Sequence, residues 1–80
     1  MELSEAIAKR LKELLKEKGC TQYKLSSLTG VPQSTISTIM TKKSRTCKLD
    51  TILLLAQGLG VTAKDFFDTP LFDFDSLNID

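Results

Sequence analysis

The chain has 80 residues and a mass of 8.9 kDa, with 41% hydrophobic and 26% charged residues and a formal net charge of +1. A chain of this size holds one small core and buries roughly 60% of its unfolded surface, so a single domain is expected. It has no histidine and only two cysteines, Cys20 and Cys47, which excludes a Ser/His or Cys/His catalytic pair, a disulfide framework and a four-ligand zinc site. Enzymatic activity is therefore not expected, and neither is a cofactor. The longest apolar run, Ile52 to Ala56, is far short of the ~20 residues of a membrane span, and the N-terminus, with Glu2 and Glu5, lacks a secretory h-region. No membrane and no small-molecule partner are expected, and reduced thiols in a cytoplasmic protein are the simplest reading of the cysteines.

The small net charge hides a segregation. Residues 1–48 carry ten cations against four acids, a net +6; residues 49–80 carry Lys64 against six aspartates, a net −5. Between Glu17 and Asp50 no carboxylate occurs, while Lys18, Lys24, Lys42, Lys43, Arg45 and Lys48 all fall in that gap. A segment that keeps cations and excludes acids suits a polyanion, because each cation near a phosphate releases counterions.

In chain order, apolar residues at 3, 6, 7, 11, 14 and 15 predict an amphipathic helix, with Ser4 as N-cap and Gly19 as its stop. Thr21 is expected to cap a second, shorter helix through Leu25 and Leu28, broken at Gly30 in a left-handed conformation. Pro32 opens a third element with Ile36 and Ile39 or Met40 on its buried side. Thr41 to Cys47 is an exposed basic loop. Leu49 to Leu59 forms a fourth helix, ended by Gly58 and Gly60. Thr62 and Asp65 form a capping box that opens a last short helix through Phe66 and Phe67, stopped by Pro70. No period-2 alternation precedes residue 70, so the fold class is all-α. Leu3, Ile7, Leu11, Leu14, Leu25, Ile36, Ile39, Leu49, Ile52, Leu55, Ala56, Leu59, Val61 and Phe66 fit one core.

The segment Gln22 to Met40 consists of two short helices around a Gly turn, a helix-turn-helix, with Leu25, Val31, Ile36 and Ile39 packing the pair and small Ser26 at their crossing. Thr21-Gln22, Leu25, Gly30-Val31-Pro32, Ser34-Thr35-Ile36-Ser37, Leu49-Asp50-Thr51-Ile52 and Leu59-Gly60-Val61 give the sequence its resemblance to the Xre family, the helix-turn-helix regulators related to lambdoid phage repressors. The match covers about residues 5–68 in the family's order and spacing. Two positions depart from it. Thr29 stands where the family more often has an apolar residue. Lys48 takes the place of a Ser or Thr cap on the fourth helix, at a cost of about 1 kcal/mol.

The resemblance implies a five-helix repressor-like domain over residues 1–68. It also implies a sequence-specific, double-stranded-DNA-binding transcription regulator, a repressor and a homodimer, that reads the major groove with the helix at about 32–40. It points to Gln33, Ser34 and Thr38 as base readers. Gln suits adenine N6/N7, Ser bonds several bases, and a Thr methyl meets a thymine methyl. Phosphate contacts are expected from Gln22, Lys24, Ser37, Lys42, Lys43 and Arg45. Leu54 fills a slot that is usually polar.

The tail, residues 69–80, alternates Leu71, Phe72, Phe74, Leu77 and Ile79 with Asp73, Asp75 and Asp80. Three courses are open to it: extending a homodimer interface, folding back over its own domain, or recruiting another protein. Leu54, Leu71, Phe72 and Phe74 are the candidate dimer or tail contacts, and the dimer is the reading preferred here. The alternative function is a protein-binding module of the same fold, antitoxin-like, that holds a partner with this tail.

Overall fold

The structure, a computed structural model, describes residues 1–41 and 48–78. Five α-helices follow one another: α1 (Leu3–Lys18), α2 (Gln22–Thr29), α3 (Gln33–Met40), α4 (Leu49–Gly58) and α5 (Ala63–Phe67). A short 3₁₀ turn, Pro70–Phe72, comes after them. No strand is present among the described residues; one isolated parallel bridge joins Glu2 to Asn78. The all-α, five-helix expectation holds.

Helix α1 buries the stripe Ile7, Leu11, Leu14 and Leu15, as its periodicity requires, with Ala6 and Ala8 also buried. These side chains meet Leu25, Val31, Ile36, Ile39, Met40, Ile52, Leu55, Ala56, Leu59 and Phe66 in one core. α1 packs on α3, and α2 packs on both α3 and α4. This leaves α2 and α3 at the surface with one face each tied to the interior. Two leucines expected in the core are not there. Leu3 lies in the first turn of α1 and is exposed, and Leu49, the first residue of α4, is 63% exposed. Both sit at helix starts, beyond the reach of the opposing helices. Val61 is half-buried against the core.

The caps differ in detail from the expectation. α1 begins one turn earlier than a Ser4 cap would allow, with Glu2 at the N-cap and no side-chain hydrogen bond there. Thr21 and Thr62 do cap: their hydroxyl oxygens accept from Lys24 N (3.1 Å) and Asp65 N (3.0 Å). Pro32 occupies the N-cap of α3 rather than its first turn. Lys48 caps α4 with no side-chain bond, as its departure from Ser or Thr predicts.

α4 ends at Gly58, and the two glycines assigned to its stop do different jobs. Gly60, at φ 75°, provides the left-handed residue, with Gly60 N–H on Gln57 O and Val61 N–H on Ala56 O, both 3.0 Å. Gly58 instead lies where α4 meets α2. A Cβ there would overlap the Thr29 methyl and sit 3.1 Å from Leu25 Cδ1.

The tail folds back. Phe72 stacks edge-to-face on Phe67 at 5.0 Å between ring centroids and lies 6.4 Å from Phe66. The 3₁₀ turn rests on α1. Met1 N donates to Ser76 O (2.9 Å) and Asn78 N to Met1 O (2.7 Å), so residues 76–78 are laid along the start of the chain. Leu71 and Phe72, expected as dimer or tail contacts, are therefore half-buried on their own domain, while Phe74 is 84% exposed. Arg10 fastens the same end: its Nε and a terminal nitrogen donate to Phe66 O (2.7 Å) and Asp65 O (2.6 Å), joining α1 to the C-terminal carbonyls of α5.

Candidate nucleic-acid interface

The turn between α2 and α3 is built from hydroxyls as well as from glycine. Thr29 Oγ1 donates to Leu25 O (2.8 Å) and accepts from Val31 N (3.2 Å), bridging the break in the backbone ladder that Gly30 introduces at φ 78°. Ser26 Oγ donates to Val31 O at 2.6 Å and so ties the middle of α2 to the residue after the turn. Thr29 departs from the usual apolar residue for this reason: its hydroxyl satisfies an amide that no helix bond serves. The sequence shows Ser26 only as a small residue; a hydroxyl five residues before an apolar residue that follows a Gly turn is the signal for the bond.

This turn orients α3. Ile36, Ile39 and Met40 are buried, whereas Gln33, Ser34 and Ser37 are exposed on its other side. No side chain caps α3. Thr38 is half-buried, and its hydroxyl donates to Ser34 O (2.8 Å). That bond engages the hydroxyl's hydrogen within the helix. Thr41 Oγ1 likewise donates to Ser37 O (2.9 Å). Gln33 and Ser34 therefore stand together at the start of α3, with Ser37 one turn behind them.

Of the six phosphate candidates, Ser37 shares α3 with the base readers, and Gln22 opens α2, half-buried. Lys24 is exposed and lines a shallow groove with Lys18, Cys20, Leu28 and Leu59, to which α3 contributes nothing. It is thus not gathered with the α3 residues. Lys42, Lys43 and Arg45, with Cys47, lie outside the described residues.

The electrostatics of the pair follow from its composition. Neither α2 nor α3 contains an acid, and the nearest carboxylates along the chain are Glu17 and Asp50. One cation of the basic half is used elsewhere: Arg10 is held by α5 carbonyls, with its side chain 14% exposed. Among the described residues no group of His, Cys, Asp and Glu could hold a metal ion, and no helix is long and apolar enough to cross a membrane.

Comparison with known proteins agrees with this geometry. The chain is similar to the crystal structure of the prophage Lp1 protein 11, at 28% identity and a TM-score of 0.79, over 91% of this chain and 99% of that one. No curated protein sequence matches it significantly. The family model for the Cro/C1-type helix-turn-helix DNA-binding domain matches residues 10–71, from the middle of α1 through the last helix into the 3₁₀ turn. The chain belongs to this Xre-like family of DNA-binding regulators.

Proposed function

We propose that the protein is a sequence-specific transcription regulator that lays α3 in the major groove of double-stranded DNA, with Gln33 and Ser34 on base edges and the Thr38 methyl beside them. The observation that carries this reading is the division of α3, whose apolar side is buried while Gln33, Ser34 and Ser37 project from an acid-free surface. Gln donates and accepts in one plane, as adenine N6/N7 requires; Thr38, with its hydroxyl hydrogen held by the helix, offers an apolar contact suited to a thymine methyl. Gln22, Ser37, Lys42, Lys43 and Arg45 hold the flanking phosphates, and Lys24 adds to the positive field without touching the same backbone.

The regulator acts in the cytoplasm as a repressor, since occupying an operator suffices to block transcription, and as a homodimer, since one such helix covers a half-site. A protein-binding role for the tail is disfavoured because Phe72 and residues 76–78 are engaged within the domain.

Fluorescence anisotropy on a mixed-sequence duplex over a salt series tests the reading. The slope of log K against log salt is expected at roughly −3 to −5 per protomer. The Lys42→Ala/Lys43→Ala double variant flattens it by about 2, one unit for each phosphate contact removed. Gln33→Ala leaves that slope unchanged and weakens binding to a selected operator by about 1–3 kcal/mol. Absence of binding by the folded protein at low salt overturns the proposal.

A further inference from the structure

Helix α4 has one side packed on α2 and α5 and another with no partner. On the open side Asp50, Leu53, Leu54 and Gln57 are all exposed, at the i, i+3, i+4, i+7 spacing of a helix-packing seam. Leu53 and Leu54 are 41% and 44% exposed, and Leu49 continues the apolar edge one turn before Leu53. Read from either end, the seam runs polar, apolar, apolar, polar. Two copies laid antiparallel across a two-fold between Leu53 and Leu54 bring leucine opposite leucine. They also set the Asp50 carboxylate of each copy opposite the Gln57 amide of the other, where the amide donates to it. The seam thus meets the requirement of an isologous interface, that one patch complement itself. The tail, the other apolar segment of the chain, rests on α1 and leaves this side open.

We infer that the Asp50–Leu53–Leu54–Gln57 face of α4 is where two copies of this chain meet, and that the contact is weak in free solution. The size of the patch sets its strength. The three leucines offer an area on the order of 250 Å² per copy, against about 800 Å² per partner in a stable interface. Such a contact holds two copies together when DNA supplies the second attachment, because tethering on neighbouring half-sites raises the effective concentration to the millimolar range. The inference rests on the DNA-binding reading for that last step; the pairing itself is read without DNA.

The test is a dilution series of ¹⁵N-labelled full-length protein from about 2 mM downward, the range in which a dissociation constant near 1 mM is resolved. Wild-type amide shifts are expected to move with concentration in and around residues 49–57 and to stay fixed at Gln33, Ser34 and Ser37. Leu53→Lys/Leu54→Lys is expected to abolish the movement while preserving the dispersed spectrum elsewhere, since both side chains are solvent-facing. Asp50→Lys serves as a milder variant and weakens the shifts several-fold. No concentration dependence in the wild type, or movement centred on Phe74 and the tail instead, overturns the inference. Anisotropy on a duplex selected from a random pool is measured alongside. If the wild type pairs but binds no duplex, the α3 reading fails and the α4 contact stands. If it binds with equal affinity and cooperativity whether or not Leu53 and Leu54 are lysine, the α4 contact fails and the α3 reading stands.

Discussion

At the residue scale, Gly58 is the position whose role differs most from its appearance. A glycine near the end of a helical pattern looks like a stop, yet the stop is Gly60 two residues later, and Gly58 is small because the Thr29 methyl fills the space of its missing Cβ. Gly58→Ala sets two effects against each other. Helix propensity gains up to about 1 kcal/mol in an interior position and less in this last turn, while forcing a methyl into a packed contact costs about 1–3 kcal/mol. Packing wins, and urea denaturation is expected to report a net loss of about 1–2 kcal/mol. Thr29→Ser removes the obstructing methyl and keeps the hydroxyl that serves Leu25 O and Val31 N. Combined with Gly58→Ala it is expected to recover at least half of the loss, a positive coupling between the sites; strict additivity of the two changes contradicts the contact. The same distinction runs through the candidate site. Residue types at fixed spacing made Gln33, Ser34 and Ser37 legible as an exposed helix face, because burial follows period 3.6. The bonds of Ser26, Thr29 and Thr38 were not legible, since a hydroxyl's choice among carbonyls depends on the exact approach of two helices. Arg10 was legible only as one more cation, and its partners Phe66 O and Asp65 O lie 56 and 55 residues away.

At the scale of elements, five helices and their order could be read from the chain because periodicity, Thr caps and Gly turns agree with one another at nearly every boundary. The exceptions are ends that no side chain marks. α1 starts at Leu3 without a side-chain cap, and α4 starts after Lys48, which makes none. For α4 this leaves room for improvement: Asp50 already places a negative charge in the first turn, and its carboxylate accepts from Thr51 N at 2.8 Å. Lys48→Ser adds the missing acceptor at the N-cap, whose backbone is already extended at φ −68° and ψ 137°. The variant is expected to be more stable by about 0.5–1 kcal/mol, seen as a rise of several degrees in the thermal midpoint. The same change removes a cation from the acid-free segment, so DNA affinity at low salt is expected to fall as stability rises. A parallel rise in both quantities contradicts the electrostatic role given to that segment.

On the scale of the whole molecule, the charge segregation and the placement of the tail answer different demands. The basic half surrounds α2 and α3; the acidic residues of the tail are carried on a segment strapped to α1 through Phe72, Ser76 and Asn78. The strap covers Phe66, which is fully buried, and Phe67, which is half-buried, so its removal uncovers part of an already small core. Deleting residues 70–80 takes away the half-buried Phe72 ring and the backbone bonds to Met1, and is expected to cost about 2–4 kcal/mol. In a domain whose whole stability is of order 5–15 kcal/mol, that loss lowers the thermal midpoint by roughly 10 °C or more. The deletion also removes Asp73, Asp75 and Asp80 and no cation, raising the formal net charge from +1 to +4. Below the new midpoint, DNA affinity at low salt is therefore expected to rise while the salt slope stays the same, because the number of phosphate contacts is unchanged. Self-association measured in the same samples is expected to stay at its wild-type value, since the α4 seam is untouched. A truncated protein with unaltered thermal midpoint means that the strap does not contribute to the core. One that keeps its stability and loses its self-association instead makes the tail, with Phe74 at its tip, the surface by which two copies meet.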